Sequence, residues 1–506
     1  MIEGGKWRKR IVSGLALGLI LGLAVGLGLA TGNTAMAQEA PGMAVGRILE
    51  DIASEADPSQ TYSVYLPSAY TAERTWPLLL VLDARGRGRL GAELFLPGAE
   101  AHGYVVLSSD LSRSDDEVEP NLRAVAAMLQ DARRHLAVDP DRLYIAGFSG
   151  TARFAYALGV LKDRGIQGIG RVTGVISASG GLPQGSKAAS EIQWRQPDFP
   201  LYGTAGQWDF NLNEMVAQDE AAAAAGVPHR LATFEGAHSW PPQALAAEAL
   251  EWMRLQAMRS GLEAPDEEWM EALWAKRRAQ ARIAEELGDP VLALDRYRDL
   301  LLDFPDHPEA AEVRQREQAL EKLPEIRRRR EIAAEYRRKE DAYRDDVAAA
   351  TRTLRTSPNP PVERLLHDLR VEELRRLAEE AEHPEERAGA RRLLEVLAGQ
   401  VAFYLPREFF AQDLNAAAAA SLEIALAIRP DSAELWYNLA CARARQGRVE
   451  KALEALQRAY DKGFRNLEHV EDDPDLENLR DDPDFERVLA RLRSLKPRPG
   501  TSLAPL

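Results

Sequence analysis

The chain has 506 residues, and at roughly 150 residues per domain that length predicts more than one hydrophobic core. Apolar residues make up 45% and charged residues 28%, which excludes collagen-like and wholly disordered readings. A formal charge of −15 argues against a nucleic-acid ligand, since phosphate binding needs a basic face, and a lone cysteine, Cys441, leaves no disulfide framework and no thiolate-cluster metal site.

The first segment reads as an address. Lys6, Arg8, Lys9 and Arg10 precede an apolar or small stretch from Ile11 to Thr31, and Ala35-Met36-Ala37 is a small-x-small cleavage site. Residues 1–37 are therefore expected to be a signal peptide or an N-terminal membrane anchor. The anchor reading stays open because the stretch approaches the length of a bilayer span, and Gly14, Gly18, Gly22 and Gly26 repeat at the spacing of packed membrane helices. Either way the protein is expected outside the cytoplasm, periplasmic or secreted, with membrane contact only if the segment is retained.

From Pro41 to Gly261, residues 41–261, short apolar runs alternate with helical patterns, the mark of βαβ units and a mainly parallel sheet with flanking helices. Strands are predicted at Tyr62 to Leu66, Pro77 to Leu82, Tyr104 to Ser108, Arg142 to Phe148, Val172 to Ser177, Leu201 to Ala205 and Leu231 to Phe234. Helices are predicted at Asn121 to His135, Ala152 to Leu161, Leu212 to Ala225 and Gln243 to Gln256. Between two of these strands, Gly86-Arg87-Gly88-Arg89-Leu90-Gly91 matches the dinucleotide pattern G-x-G-x-x-G. Three residues separate it from the strand and Pro97 is expected to interrupt the following helix, so a cofactor site is not expected there.

The chemistry sits on three strand ends. Gly147-Phe148-Ser149-Gly150 is a small-residue turn between a strand and a helix, Gly206-Gln207-Trp208-Asp209 follows the strand from Leu201, and Gly236-Ala237-His238 follows the strand from Leu231. A sharp strand-to-helix turn exposes a serine hydroxyl above the sheet, beside free helix N–H groups that favour negative charge. Taken singly, Ser149, Asp209 and His238 read equally well as helix caps.

In order and place these residues resemble the α/β-hydrolase superfamily, near the esterase, dienelactone-hydrolase and polyhydroxybutyrate-depolymerase-like members. The resemblance implies that Ser149 is the nucleophile, His238 the general base and then acid, and Asp209 the residue that orients the histidine. It implies an oxyanion hole from the backbone N–H of Gly150 and one from Arg85 or Ala84, although the loop Asp83-Ala84-Arg85-Gly86 lacks the family's His-Gly-Gly-Gly form. It implies no metal or cofactor. Phe148, Trp208, Phe210 and Trp240 flank the triad and suggest an aromatic acyl pocket, with core packing as the other reading. The sequence departs from G-x-S-x-G at Thr151, whose bulk threatens the turn.

From Leu262 the strand signal ends and Ala, Leu, Glu and Arg recur with helical period. Trp436-Tyr437-Asn438-Leu439-Ala440, Gly447 and Ala452 to Ala459 resemble a tetratricopeptide repeat of 34 residues, and 34 positions earlier Ala418, Leu422 and Ala425 stand where Ala452, Leu456 and Ala459 stand. The expected organisation is a weak repeat-like helical region at 262–309, a charged helical connector at 310–395, and repeats with C-terminal helices at 396–495. The whole reads as an exported serine hydrolase of carboxyl esters, small or polymeric, with repeats that engage a protein or peptide partner; a peptidase stays open. The alternative is a degenerate hydrolase fold serving as a scaffold for the repeats.

Overall fold

The computed structural model describes residues 43–114, 118–160, 169–181 and 197–493. The expected signal or anchor at 1–37 lies outside the described residues. The chain divides into two compact units, Met1–Glu321 and Lys322–Leu506.

The first unit holds strands β1 (Ile48–Ala53), β2 (Thr61–Tyr65), β3 (Trp76–Leu82), β4 (Val105–Ser109), β5 (Val138–Phe148), β6 (Gly174–Ala178), β7 (Leu201–Gly206) and β8 (His229–Phe234). They form one sheet in the order β1-β2-β4-β3-β5-β6-β7-β8. The pairs β1/β2 and β2/β4 are antiparallel and the others parallel. Around it lie α1 (Gly88–His102), α2 (Val118–His135), α3 (Gly150–Val160), α4 (Leu212–Ala224) and α5 (Gln243–Arg259).

Burial explains the architecture. β3 reads Trp-Pro-Leu-Leu-Leu-Val-Leu and is buried throughout, as a strand covered on both faces must be. Leu78, Leu80 and Leu82 join a core with Val125, Met128 and Leu129 of α2 and Ala155 and Leu158 of α3. Leu79 and Val81 face the opposite core, with Phe95 and Ala99 of α1 and Ala246, Leu250 and Met253 of α5.

Two elements differ from expectation. β1 carries no strong apolar run, because it is an edge strand with three exposed residues. The helix α1 runs unbroken through Pro97. Proline removes one helical hydrogen bond and orphans the carbonyl four residues earlier, and here the Gln243 side chain donates to that carbonyl, of Glu93, at 2.7 Å. The glycines of the dinucleotide-like pattern serve packing instead. A Cβ on Gly91 would stand 2.4 Å from Ser108 Oγ, and one on Gly88 would stand 2.1 Å from Asp110 Oδ1.

The first unit does not end at Gly261. Helices α6 (Glu267–Glu286), α7 (Pro290–Asp303) and α8 (Ala310–Glu321) belong to it. The buried Arg230 of β8 donates to Asp303 Oδ2 at 2.7 Å, Arg277 also pairs with Asp303, and Trp252 Nε1 donates to Asp303 Oδ1 at 3.0 Å. Removing α7 would take Asp299 and Asp303 from the buried Arg230 and leave it Glu248 at 3.8 Å, a costly loss.

The second unit is helical: α9 (Pro324–Thr356), α10 (Val362–Asp368), α11 (Val371–Glu380), α12 (Pro384–Gly399), α13 (Leu405–Ala411), α14 (Asn415–Ile428), α15 (Ala433–Arg445), α16 (Val449–Lys462), α17 (Leu467–Asp472) and α18 (Pro483–Arg493). The expected connector at 310–395 is split, since α8 belongs to the first unit, and α9 packs within the second. Tyr336 of α9 lies under Gly389, where a Cβ would stand 2.3 Å from the ring, and the buried Glu340 accepts from Arg392 at 2.8 Å. Ala418, Leu422 and Ala425 are as buried as Ala452, Leu456 and Ala459, which is the 34-residue register in packing form. Cys441 is buried within α15.

Candidate active site

At the end of β5 the chain turns sharply into α3, and Ser149 at the turn adopts φ +58, a conformation that costs a side-chain-bearing residue energy. Close packing enforces it. A Cβ on Gly147 would stand 2.4 Å from the Thr151 carbonyl oxygen, and one on Gly180, after β6, would stand 2.1 Å from the Ser149 carbonyl oxygen. The Ser149 N–H donates to the Ala178 carbonyl at 2.8 Å.

Thr151 fits this turn. Its side chain is buried, its Oγ1 lies 2.6 Å from the Leu82 carbonyl oxygen and 2.9 Å from that of Phe148, and it accepts from the Phe148 N–H at 3.0 Å. The hydroxyl ties the turn to the end of β3.

The loops after β7 and β8 bring the other two residues to Ser149. Ser149 Oγ lies 2.9 Å from His238 Nε2, and His238 Nδ1 lies 3.0 Å from Asp209 Oδ1. Asp209 is fully buried, and its Oδ1 also accepts from the Asn211 N–H at 2.8 Å. Asn211 Nδ2 donates to the Ser179 carbonyl at 2.9 Å, and Ser179 Oγ donates to the Ser239 carbonyl at 3.1 Å. Ser179, itself at φ +53, thereby joins the acid loop to the histidine loop.

The expected oxyanion donors are differently placed. The Gly150 N–H donates to Ser114 Oγ at 3.0 Å, so a hydroxyl stands where a substrate oxygen would be received. The Arg85 N–H is engaged by the buried carboxylate of Asp83, at Oδ1 and 2.9 Å, a charge-assisted bond that exchanges less readily than the Gly150 bond to a neutral hydroxyl and disfavours Arg85 as the second donor. Ala84 remains, and its carbonyl accepts from the Ser114 N–H at 2.9 Å.

Asp83, which sequence reasoning passed over, organises this side of the site. Fully buried, it accepts from the Arg87 N–H at 3.2 Å, from Arg87 Nε and Nη2 each at 2.9 Å, and from Trp240 Nε1 at 2.7 Å. Burial pushes its carboxyl up, but the bonds from Arg87 and Trp240 outweigh that and hold it below the usual carboxylate range. Ser112 Oγ donates to its backbone carbonyl at 2.8 Å. The only sequence signal for this role was an aspartate at the end of a buried strand followed by arginine.

Aromatic rings frame the histidine. Phe210 stacks on His238 at 4.2 Å between centroids, Phe148 lies at 4.8 Å, and Trp240 stacks on Phe148 at 5.5 Å. Trp208 is half-buried, with its N–H donating to the Gly236 carbonyl at 3.1 Å. Among the described residues no cluster of three His, Cys, Asp or Glu side chains could hold a metal ion.

Comparison with known proteins adds two findings. A tetratricopeptide repeat family model matches residues 407–464, which spans α14 to α16 and does not reach the repeat-like helices α6 and α7. Similar solved structures include a ferulic acid esterase, 16% identical over 41% of this chain and 97% of its own with a TM-score of 0.33. They also include Thermogutta terrifontis esterase 2, 16% identical over 44% and 96% with a TM-score of 0.34. A third is the fluorophosphonate-binding serine hydrolase FphF of Staphylococcus aureus, 12% identical over 42% and 99% with a TM-score of 0.33. No curated protein matches the chain. The first unit has the α/β-hydrolase fold, with its mainly parallel sheet, flanking helices and strand-to-helix serine turn. The second unit carries a tetratricopeptide repeat.

Proposed function

We propose that the first unit is a serine hydrolase of carboxyl esters acting outside the cytoplasm, and that the helical repeats engage a protein or peptide. The observation that carries this reading is the unbroken contact from Ser149 Oγ through His238 to the buried Asp209, built on a strained turn. Ser149 would attack the ester carbonyl while His238 Nε2 takes its proton. Asp209 would hold the tautomer with the proton on Nδ1 and stabilise the imidazolium. The tetrahedral oxyanion would be received by the Gly150 N–H, exchanging its bond from Ser114 Oγ to substrate, and by the Ala84 N–H. Collapse would expel the alcohol, protonated by His238, and water would then cleave the acyl-enzyme by the same route.

A panel of chromogenic esters and peptides tests this on the full chain. Turnover of short esters is expected, with Phe148, Phe210 and Trp240 walling the space beside His238. Cleavage of peptides alone would make the protein a peptidase, and inertness to the whole panel would leave the scaffold reading.

A further inference from the structure

The mouth of the site holds two cations whose side chains meet no counter-ion among the described residues. Arg85, after β3, and Arg113, after β4, are partners in an isolated antiparallel bridge, and both side chains are exposed. Directly opposed residues of such a bridge hold their Cβ atoms about 5 Å apart, and like charges there are unfavourable. Nearby arginines are matched: Arg87 pairs with Asp83, Arg89 with Glu50 and Glu93, and Arg153 with Glu214. Among the described residues neither Arg85 nor Arg113 has such a partner.

Their main chains, in contrast, are firmly held. The Arg85 N–H donates to Asp83 Oδ1 at 2.9 Å. Asn121 clamps Arg113, accepting from its N–H at 2.9 Å and donating to its carbonyl at 2.8 Å. Each arginine adjoins in sequence a residue of the elbow's own contacts: Ser114, whose Oγ accepts from the Gly150 N–H, and Ala84, whose carbonyl accepts from the Ser114 N–H. Two guanidiniums that rise from firmly held main chain one residue from the oxyanion site, without a counter-ion among the described residues, are a fork for a carboxylate.

We infer that the substrate is an ester bearing a free carboxylate, held by Arg85 and Arg113 while its ester carbonyl lies at Ser149. This rests on the ester-hydrolase reading and names the substrate class for it. The general field of the protein does not supply the attraction, because the chain carries −15 and repels anions at long range.

The test compares 4-nitrophenyl valerate with mono-4-nitrophenyl glutarate, which matches it in chain length and adds the carboxylate. In the wild-type chain kcat/KM is expected to favour the glutarate ester by about 10- to 100-fold, the worth of charge-assisted hydrogen bonds. That ratio should fall toward one in Arg85→Gln and Arg113→Gln, and below one in the double Arg→Glu variant. A role confined to folding of the loop lowers both rates and leaves the ratio unchanged, which would overturn the proposal, as would a wild-type preference for valerate. So would a glutarate preference that emerges only when Asp115, Asp116 and Glu117 are replaced by their amides, because the arginines would then be neutralised from within the chain. Equilibrium titration of Ser149→Ala with monomethyl glutarate reads the arginines without chemistry. Binding there that is lost in the arginine variants supports the fork even if the wild type hydrolyses neither ester, and that inertness would count against the hydrolase reading alone.

Discussion

The two units differ in whether buried polar groups converge on one place. In the first, Asp83, Thr151, Ser179 and Asp209 are all fully buried and all stand just beyond strand ends, where Ser149 and Ser179 also hold left-handed backbone. In the second, Glu340, Arg392, Ser421 and Asn438 are spread along separate helices, among alanines and leucines in repeated register. Convergent buried polarity on strained backbone is costly and persists where the surrounding packing over-determines it, as at reaction sites. Dispersed polar groups inside small-residue helix packing serve the stack itself, and a stack of this kind leaves its surface for recognition.

The largest expected effect separates the units by activity. Ser149→Ala should lower ester kcat by roughly 10⁶-fold and Asp209→Asn by roughly 10⁴-fold, as losses of nucleophile and tautomer control do. Steady-state kinetics reads the rates, and unchanged circular dichroism shows that the fold remains.

Two buried carboxylates then sharpen the comparison by stability. Asp303→Ala removes the carboxylate shared by Arg230 and Arg277 in the first unit, leaving Asp299 and Glu248 to the one and Glu251 to the other, and Glu340→Ala removes a carboxylate paired with Arg392 in the second. Each should cost about 1.5 to 3 kcal/mol, the loss of hydrogen bonds between charged groups. Denaturant melts followed by ester turnover should report the first substitution and miss the second. Coincident loss in both would make the two units one cooperative body.

The role of Asp303 shows where the sequence was readable and where it was not. Ser149, Asp209 and His238 were legible because each closes its own strand, so local pattern places all three at one edge of the sheet. The compact unit runs past Gly261, where Arg230 finds Asp303 73 residues further on, and no local pattern announces that pairing. For the same reason α1 was hidden, since Pro97 reads as a breaker until Gln243, 150 residues from Glu93, satisfies the orphaned carbonyl. Asp83 and Ser114 were passed over because Trp240, which joins Asp83 to the histidine loop, and Gly150 and Ala84, which hold Ser114, lie on other loops, whereas the alanine and leucine register of α14 and α16 repeats within the sequence and was visible.

A smaller effect is one of pH. Burial pushes the His102 imidazole down to about 4, below its value of about 6.5 in an unfolded chain. The unfolded state therefore binds the proton first, and the stability contributed by neutral His102 is complete above pH 6.5 and is lost as pH falls toward 4. Thermal melts should show that His102→Gln removes up to about 3 kcal/mol of this acid dependence from the first unit.

The smallest effect concerns the turn itself. Thr151→Gly removes the hydroxyl ties to Leu82 and Phe148, so stability should fall by about 1 to 3 kcal/mol, while ester kcat/KM should change less than about tenfold. A dormant wild type awakened by Thr151→Gly would mean that threonine disables the elbow.

The most direct measurement is labelling of the full chain with a fluorophosphonate probe, mapped by peptide mass spectrometry. Only a serine activated by its neighbours attacks such a phosphorus centre at a useful rate. The account predicts one adduct, on Ser149, absent in Ser149→Ala and strongly slowed in His238→Ala. Labelling confined to another serine, or no labelling of the folded wild-type protein, would contradict it.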